Sequence, residues 1–293
     1  MFTDLHLHTN FSDGTYTPEK LASEAHRCGL VAVALTDHDT VEGCCRMRAA
    51  CEAKQIEFIP ATELTAEING IELHMLGYFL DVENDELLGE MRRFQEGRTE
   101  RIREIVSRLR QLNIPLREED VFGIAQCNSP GRPHVARALI QRKVCTSLDE
   151  AFERFLKKNR PGWVPKEKIS APDALELIHR AGGLAILAHP GLARSEEAIP
   201  ALIEAGLDGL ECFHSRHSPS TSEFYVNMAE EHNLLITGGS DCHGMNKGKP
   251  LIGSIKLPYE YVRLLKERLP TGHYAHQNQP GATTALNNGN EFV

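Results

Sequence analysis

Seven short apolar runs punctuate the chain, at residues 3–7, 31–36, 58–64, 71–79, 184–188, 209–213 and 234–237. Several are nearly continuous, as in Val31-Ala32-Val33-Ala34-Leu35. A strand that is apolar on both faces must be covered on both, which is the situation in a parallel sheet flanked by helices. Helical patterns fill many of the gaps. Residues 18–28 follow Thr17 as a cap and open on Pro18. Residues 171–181 stop at Gly182-Gly183 and residues 196–205 at Gly206, with 220–232 and 258–269 completing the set. Strands alternating with helices predict an α/β barrel, in two pieces spanning residues 1–81 and 169–270.

The runs also place ionisable residues where burial would be costly without a partner. Nine potential metal ligands sit at or near their ends: His6, His8, Asp13, His38, Glu63, His74, His189, Asp241 and His243. Residues i and i+2 of a strand point to the same side, so His6 can share a cation with His8, and Asp241 with His243. Histidine and carboxylate without thiolate suit Mn, Zn or Fe, in an open catalytic site more than a closed structural one. In α/β barrels the catalytic residues gather at the C-terminal ends of the strands.

With 293 residues the chain has room for one large domain carrying an insertion. Residues 82–168 fit that role. They show helical patterns at 98–112, 133–143 and 148–158 and no convincing strand, and they are expected to cap the barrel's functional face. They hold 18 Lys+Arg against 14 Asp+Glu, leaving 14 basic and 27 acidic residues in the rest of the chain. The spacing of Arg101, Glu104 and Arg108 suits a solvated helix face. Arg132 differs. It stands in Asn128-Ser129-Pro130-Gly131-Arg132-Pro133-His134, a loop entering a helix and a candidate anion site. Arg160 stands at a helix exit. The polar stretch 271–293 reads as a non-catalytic tail. No segment approaches the roughly 20 apolar residues of a membrane span. The eight cysteines form no CxxC pair and are expected to be reduced thiols in a cytoplasm, with no signal-like segment at the N-terminus.

These residues together resemble the polymerase and histidinol phosphatase (PHP) family of metal-dependent phosphoesterases. The match covers about residues 1–80 and 180–257 and rests on His6-x-His8, Asp13, Thr36-Asp37-His38, Glu63, His74, His189 and Asp241-x-His243. The resemblance implies a distorted (β/α)7 barrel holding two or three divalent cations. By the same resemblance His6, His8, Glu63 and Asp241 hold one metal. Glu63 bridges to a second with His74 and His189, and Asp13, His38 and His243 hold the third. Asp13 stands where the family often has His, and a carboxylate there suits a harder ion such as Mn, with Zn or Fe as alternatives. The helical insertion is similar to that of the bacterial group that removes the 3′-phosphate of nucleoside 3′,5′-bisphosphates, whose relatives also trim short RNA from its 5′ end.

The implied chemistry is hydrolysis by hydroxide bridging two metals. Divalent cations on three carboxylates leave a net positive cluster, which favours a phosphate. His189 is an expected catalytic residue within that cluster, and a metal-bound water, Asp39, His214 and His217 are the candidates for protonating the leaving oxygen. Arg132 and Arg160, with His134 nearby, are the expected grips for a non-reacting phosphate, and Arg216 is a further candidate contact. The expected partner is a small anionic nucleotide, with short RNA also compatible, and neither a membrane nor an obligatory protein partner is implied. One rival is a histidinol-phosphate phosphatase using the same cluster. Another is a metal-binding structural module without catalysis. A sequence-specific nucleic-acid binder would want more aromatics than 6% and more than the one Trp, Trp163.

Overall fold

The computed structural model describes residues 1–193, 196–246 and 248–269. The chain runs β1 (Phe2–Asp4), α1 (Pro18–Arg27), β2 (Leu30–Leu35), α2 (Cys44–Glu52), β3 (Glu57–Ile68), β4 (Ile71–Tyr78), α3 (Asp85–Gln111), α4 (Glu118–Ala125), α5 (Arg132–Gln141) and α6 (Leu148–Ala151). It continues through β5 (Ile169–Ser170), α7 (Ala171–Arg180), β6 (Leu184–Leu187), α8 (Pro190–Ala193), α9 (Ile199–Glu204), β7 (Gly209–His214), α10 (Pro219–Glu231), β8 (Leu235–Gly239), β9 (Leu257–Pro258) and α11 (Tyr259–Arg268). The sheet order is β8-β7-β6-β4-β3-β2-β1-β9, with β5 beside β3. The Leu5 N–H donates to the Gly238 carbonyl at 3.2 Å, and a parallel bridge joins Leu7 to Cys242. These contacts bring β8 back to β1 and roll the sheet into a nearly closed α/β barrel. The seven apolar runs correspond to β1, β2, β3, β4, β6, β7 and β8. The polar tail expected at 271–293 lies outside the described residues.

The distortion has a local cause. Strand β4 runs antiparallel to both β3 and β6. Asn69 and Gly70 form a two-residue turn with φ of 51° and 79° between Ile68 and Ile71, which face each other across the hairpin. Positive φ at both central residues is what a tight hairpin turn of this twist requires, and Asn-Gly supplies it at low cost. Within the hairpin, side chains alternate. Ile59 and Ala61 of β3 and Leu76 and Tyr78 of β4 join one apolar cluster, while Leu64, Ala66, Leu73 and Met75 join another that includes Leu21 of α1 and Leu175 of α7. Glu63 is in phase with Ile59 and Ala61, and His74 with Leu76 and Tyr78, so both face inward. Because β4 runs backwards, its first half lies at the rim where the parallel strands end.

Between β4 and β5 the described residues form helices α3 to α6, followed by a π-helical turn at Phe152–Leu156. Helix α3 begins well before the predicted 98–112. The Asn84 side chain caps it, accepting from the Leu87 N–H at 2.9 Å. Its buried stripe runs Leu87, Met91, Phe94, Arg98, Ile102, Ile105 and Leu109, the three-to-four spacing of an amphipathic helix. Leu87, Met91 and Phe94 pack with the barrel's outer core, whereas Ile102, Ile105 and Leu109 join Val135, Leu139 and Leu156 in a separate apolar cluster. Arg98 falls at the seam. No helix among the described residues is long and apolar enough to cross a membrane.

Candidate metal centre and anion nest

All nine sequence-predicted ligands converge at one rim of the barrel. Potential donor atoms group within 4.8 Å of one another in four overlapping sets: His8, Asp13, His38 and His243; His6, His8 and Asp241; His6, Glu63 and His189; and His38, Glu63 and His74. Glu63 is central. Its Oε1 lies 2.7 Å from His74 Nδ1 and 3.1 Å from His189 Nε2. Its Oε2 lies 3.4 Å from both His6 Nε2 and His8 Nε2, and 3.0 Å from His38 Nδ1. His243 Nε2 meets Asp13 Oδ1 at 3.1 Å. The backbone is built for this crowding. A Cβ on Gly239 would lie 2.3 Å from His6 Cβ, so only glycine lets β8 come this close. Asp241 and His189 adopt φ of 53° and 30°, a left-handed conformation that costs a non-glycine residue energy.

The donor set suits cations. His6 Nε2, His8 Nε2, Asp13 Oδ1, His38 Nδ1 and Glu63 Oε2 are buried without a hydrogen-bond partner. Buried polar atoms are rarely left unpaired, and five gathered at one cluster call for something positive between them. Burial and the neighbouring His243 push His8 down to about 3, which keeps its nitrogens free as donors. Burial opposes the charged form of His243, yet the Asp13 and Asp241 carboxylates outweigh it and raise the group to about 10. Around the cluster, Asp37 accepts from the Thr9 N–H at 2.7 Å and the Ser12 hydroxyl at 2.6 Å, fixing the loop that carries Asp13. The carboxylate of Asp4, lifted to about 6 by burial, accepts from the N–H groups of Ser240 and Gly253 and holds the start of the loop bearing Asp241.

Beside the histidines lies a group of cations that the sequence reading largely missed. Arg98 Nε donates to Asp39 Oδ2 at 2.7 Å, and Lys166 Nζ lies 3.2 Å from the same oxygen. Burial lowers Arg101 to about 9, helped by repulsion from Arg132 and Arg98, and burial with Arg98 also lowers Arg132 while Glu72 and Asp13 oppose it. Burial and Arg98 bring Lys166 down to about 8. Arg98, Arg101, Arg132 and Lys166 therefore crowd together around too little negative charge. Arg98 carried a sequence signal, a charged residue inside the apolar stripe of α3. Arg101 was expected on a solvated face but turns inward, its Nε donating to the Val164 carbonyl at 3.0 Å. A cleft of about 680 Å³ opens from Asp13, Asp241 and His243 toward Phe152 and Leu251. The Arg132 guanidinium lies 5.8 Å from the centre of the Phe152 ring.

The other candidate residues sit as follows. Asp39 is held well below the ordinary carboxylate range by Lys166 and Arg98, although burial opposes its charge. His134 caps α5. Its Nδ1 accepts from the Gly131 N–H at 3.0 Å, and burial lowers it to about 4. Arg160 is exposed and pairs loosely with Glu153 at 3.9 Å. The Arg216 side chain is exposed, and it is its backbone N–H that meets His214 Nδ1, at 3.2 Å. His217 places Nδ1 on the Cys212 carbonyl at 3.0 Å and stacks its ring on Tyr225, which leaves its buried Nε2 without a hydrogen-bond partner.

The PHP domain model matches residues 4–88. The chain is 30% identical over 247 residues to the 5′-3′ exoribonuclease Rnm of Escherichia coli (strain K12), covering 82% of this chain and 84% of that protein. It is also 30% identical over 260 residues to the 3′,5′-nucleoside bisphosphate phosphatase of Chromobacterium violaceum, covering 85% and 90% respectively. A structure from Bifidobacterium adolescentis, assigned as a metal-dependent phosphoesterase, superposes with a TM-score of 0.85 at 32% identity, over 92% of this chain and 96% of that one.

Proposed function

The chain belongs to the PHP family of metal-dependent phosphoesterases and is a phosphoric ester hydrolase, and on that premise we propose that it removes the 3′-phosphate from nucleoside 3′,5′-bisphosphates. Short RNA with a 5′-phosphate is the second substrate class in this reading. His6, His8, Glu63 and Asp241 hold one cation, Glu63 with His74 and His189 a second, and Asp13, His38 and His243 a third. Divalent cations there, Mn favoured over Zn or Fe, supply Lewis acidity toward phosphoryl oxygens and make water a nucleophile near neutral pH.

One observation carries the substrate assignment: beside the cluster Arg98 and Lys166 share the Asp39 carboxylate, while Arg101 and Arg132 turn to the Val164 and Leu156 carbonyls. A second phosphate placed among them relieves their mutual repulsion and forms charge-assisted hydrogen bonds. A bisphosphate offers that second anion, and so does the 5′ end of an RNA. Histidinol phosphate offers an amine instead, which these cations repel. The names of the exoribonuclease and bisphosphate phosphatase relatives support the same choice. The eight free cysteines suit a reducing compartment and hence a cytoplasmic location.

The test is phosphate release from adenosine 3′,5′-bisphosphate by the Mn-loaded protein, with 5′-phosphorylated short RNA and histidinol phosphate alongside. Release from the bisphosphate is expected, and chelation of the metal is expected to abolish it. Arg132→Met should raise KM for the bisphosphate by about tenfold or more, the value of one hydrogen bond to a charged group. An unchanged KM would remove Arg132 from the nest, and turnover of histidinol phosphate alone would overturn the assignment.

A further inference from the structure

Strand β7 supplies none of the nine cluster residues, yet two of its ionisable side chains are buried against them. Glu211 is fully buried and His214 nearly so. Leu210 and Cys212 pack into the barrel's outer core, which turns Glu211 inward. In an unbroken strand His214 would then face outward with Leu210 and Cys212. The pairing of β7 with β8 slips between Glu211 and Phe213, and this irregularity brings His214 inward as well.

Neighbours fix both oxygens of Glu211 and one nitrogen of His214. Glu211 Oε1 lies 2.9 Å from His6 Nδ1, and Oε2 accepts the His189 N–H at 2.8 Å. An ionised carboxylate only accepts, so the proton of His6 sits on Nδ1. The Nε2 lone pair of His6 is left facing the cluster, 3.4 Å from Glu63 Oε2 and 3.6 Å from Asp241 Oδ1, without a hydrogen-bond partner. The same carboxylate steadies the left-handed backbone of His189. On His214, Nδ1 accepts from the Arg216 N–H, which places the ring proton on Nε2. That Nε2, buried without a hydrogen-bond partner, faces Asp241 Oδ2 at 3.5 Å. The other oxygen of Asp241 is thereby turned to the cluster, 3.3 Å from His8 Nε2.

We infer that Glu211 and His214 are positioning residues that orient His6, His189 and Asp241 as metal donors through β7, an inference that rests on the metal reading above. Each acts on a donor atom: Glu211 fixes which nitrogen of His6 is free, and His214 fixes which oxygen of Asp241 is free. Outer partners of this kind commonly change metal affinity by about 10–100-fold.

The experiment is calorimetric titration of the metal-free full chain with Mn²⁺ or Zn²⁺ alone, on wild type, Glu211→Gln, His214→Phe and His214→Gln. Folding is monitored by circular dichroism, and the bound metal by the paramagnetic resonance spectrum of Mn²⁺. Glu211→Gln and His214→Phe are expected to weaken one cation by about 10–100-fold and to alter its spectrum. His214→Gln carries an amide N–H near the imidazole Nε2 position and is expected to recover most of the affinity that His214→Phe loses. Folded variants with wild-type affinity and spectrum overturn the inference, as does a His214→Gln variant no better than His214→Phe. If Glu211→Gln does not fold, the two His214 variants decide. Failure of the wild type to take up either metal would instead overturn the metal reading itself.

Discussion

Lys166 is expected to make substrate binding sensitive to pH. Burial and Arg98 lower it from an ordinary 10.5 to about 8, while Asp39 works the other way. Below that value the ammonium is charged and available to a phosphate. Above it the charge is lost, so kcat/KM for the bisphosphate is expected to fall as pH rises through about 8, because that ratio reports groups of the free enzyme. Stability moves oppositely. Folding disfavours the charged lysine, so the unfolded chain binds more protons between about 8 and 10.5, and stability rises with pH across that window. In Lys166→Arg the charge persists, and the fall in kcat/KM near pH 8 should vanish. A profile that is the same in both proteins would remove Lys166 from substrate binding.

Between elements, His179 and Asp208 form a pH-dependent staple. His179 lies in the last turn of α7, where a positive charge complements the helix dipole. Its Nε2 is 2.7 Å from Asp208 Oδ2, which also accepts from the Ala185 N–H in β6 at 2.8 Å. The hydrogen bond with Asp208 raises the pKa of His179. A raised histidine contributes stability that is fully present below its unfolded value and is lost as pH rises through the folded one. His179→Gln should therefore lower Tm more at pH 6 than at pH 8.5. The ring is partly exposed, so the contribution is at most about 1 kcal/mol. Equal differences at the two pH values would contradict the staple.

For the molecule as a whole, Asp39 joins the helical layer to the barrel. It follows β2, adopts φ of 50° and accepts from the Thr65 N–H in β3 at 3.1 Å. Its other oxygen meets Arg98 of α3 and Lys166, both from beyond the β3–β4 hairpin. Removing the charge that these two buried cations share among the described residues leaves them unpaired. Asp39→Asn is expected to cost about 3–5 kcal/mol in denaturant unfolding, the usual penalty for breaking a buried ion pair. A loss below about 1 kcal/mol would mean that water already neutralises this seam.

The local pattern of the chain determined much of this protein. Period and polarity are encoded residue by residue, so seven apolar runs gave seven barrel strands, and histidine–carboxylate spacing picked out nine residues that converge. The strand direction of β4 was written in Asn69-Gly70, but strand–helix alternation alone did not use it. Helices α2 and α4 were missed because they are short and weakly patterned. What only the tertiary structure decided are the pairings between distant segments. Asp39 could be an acid or an anchor until Arg98 and Lys166, 59 and 127 positions away, arrived beside it. Glu211 and His214 carried no readable phase, because a slip in β7 pairing set the direction of His214. A side chain's chemistry depends on the charges and carbonyls within a few ångströms of it, and the fold chooses those neighbours from segments far apart in the chain.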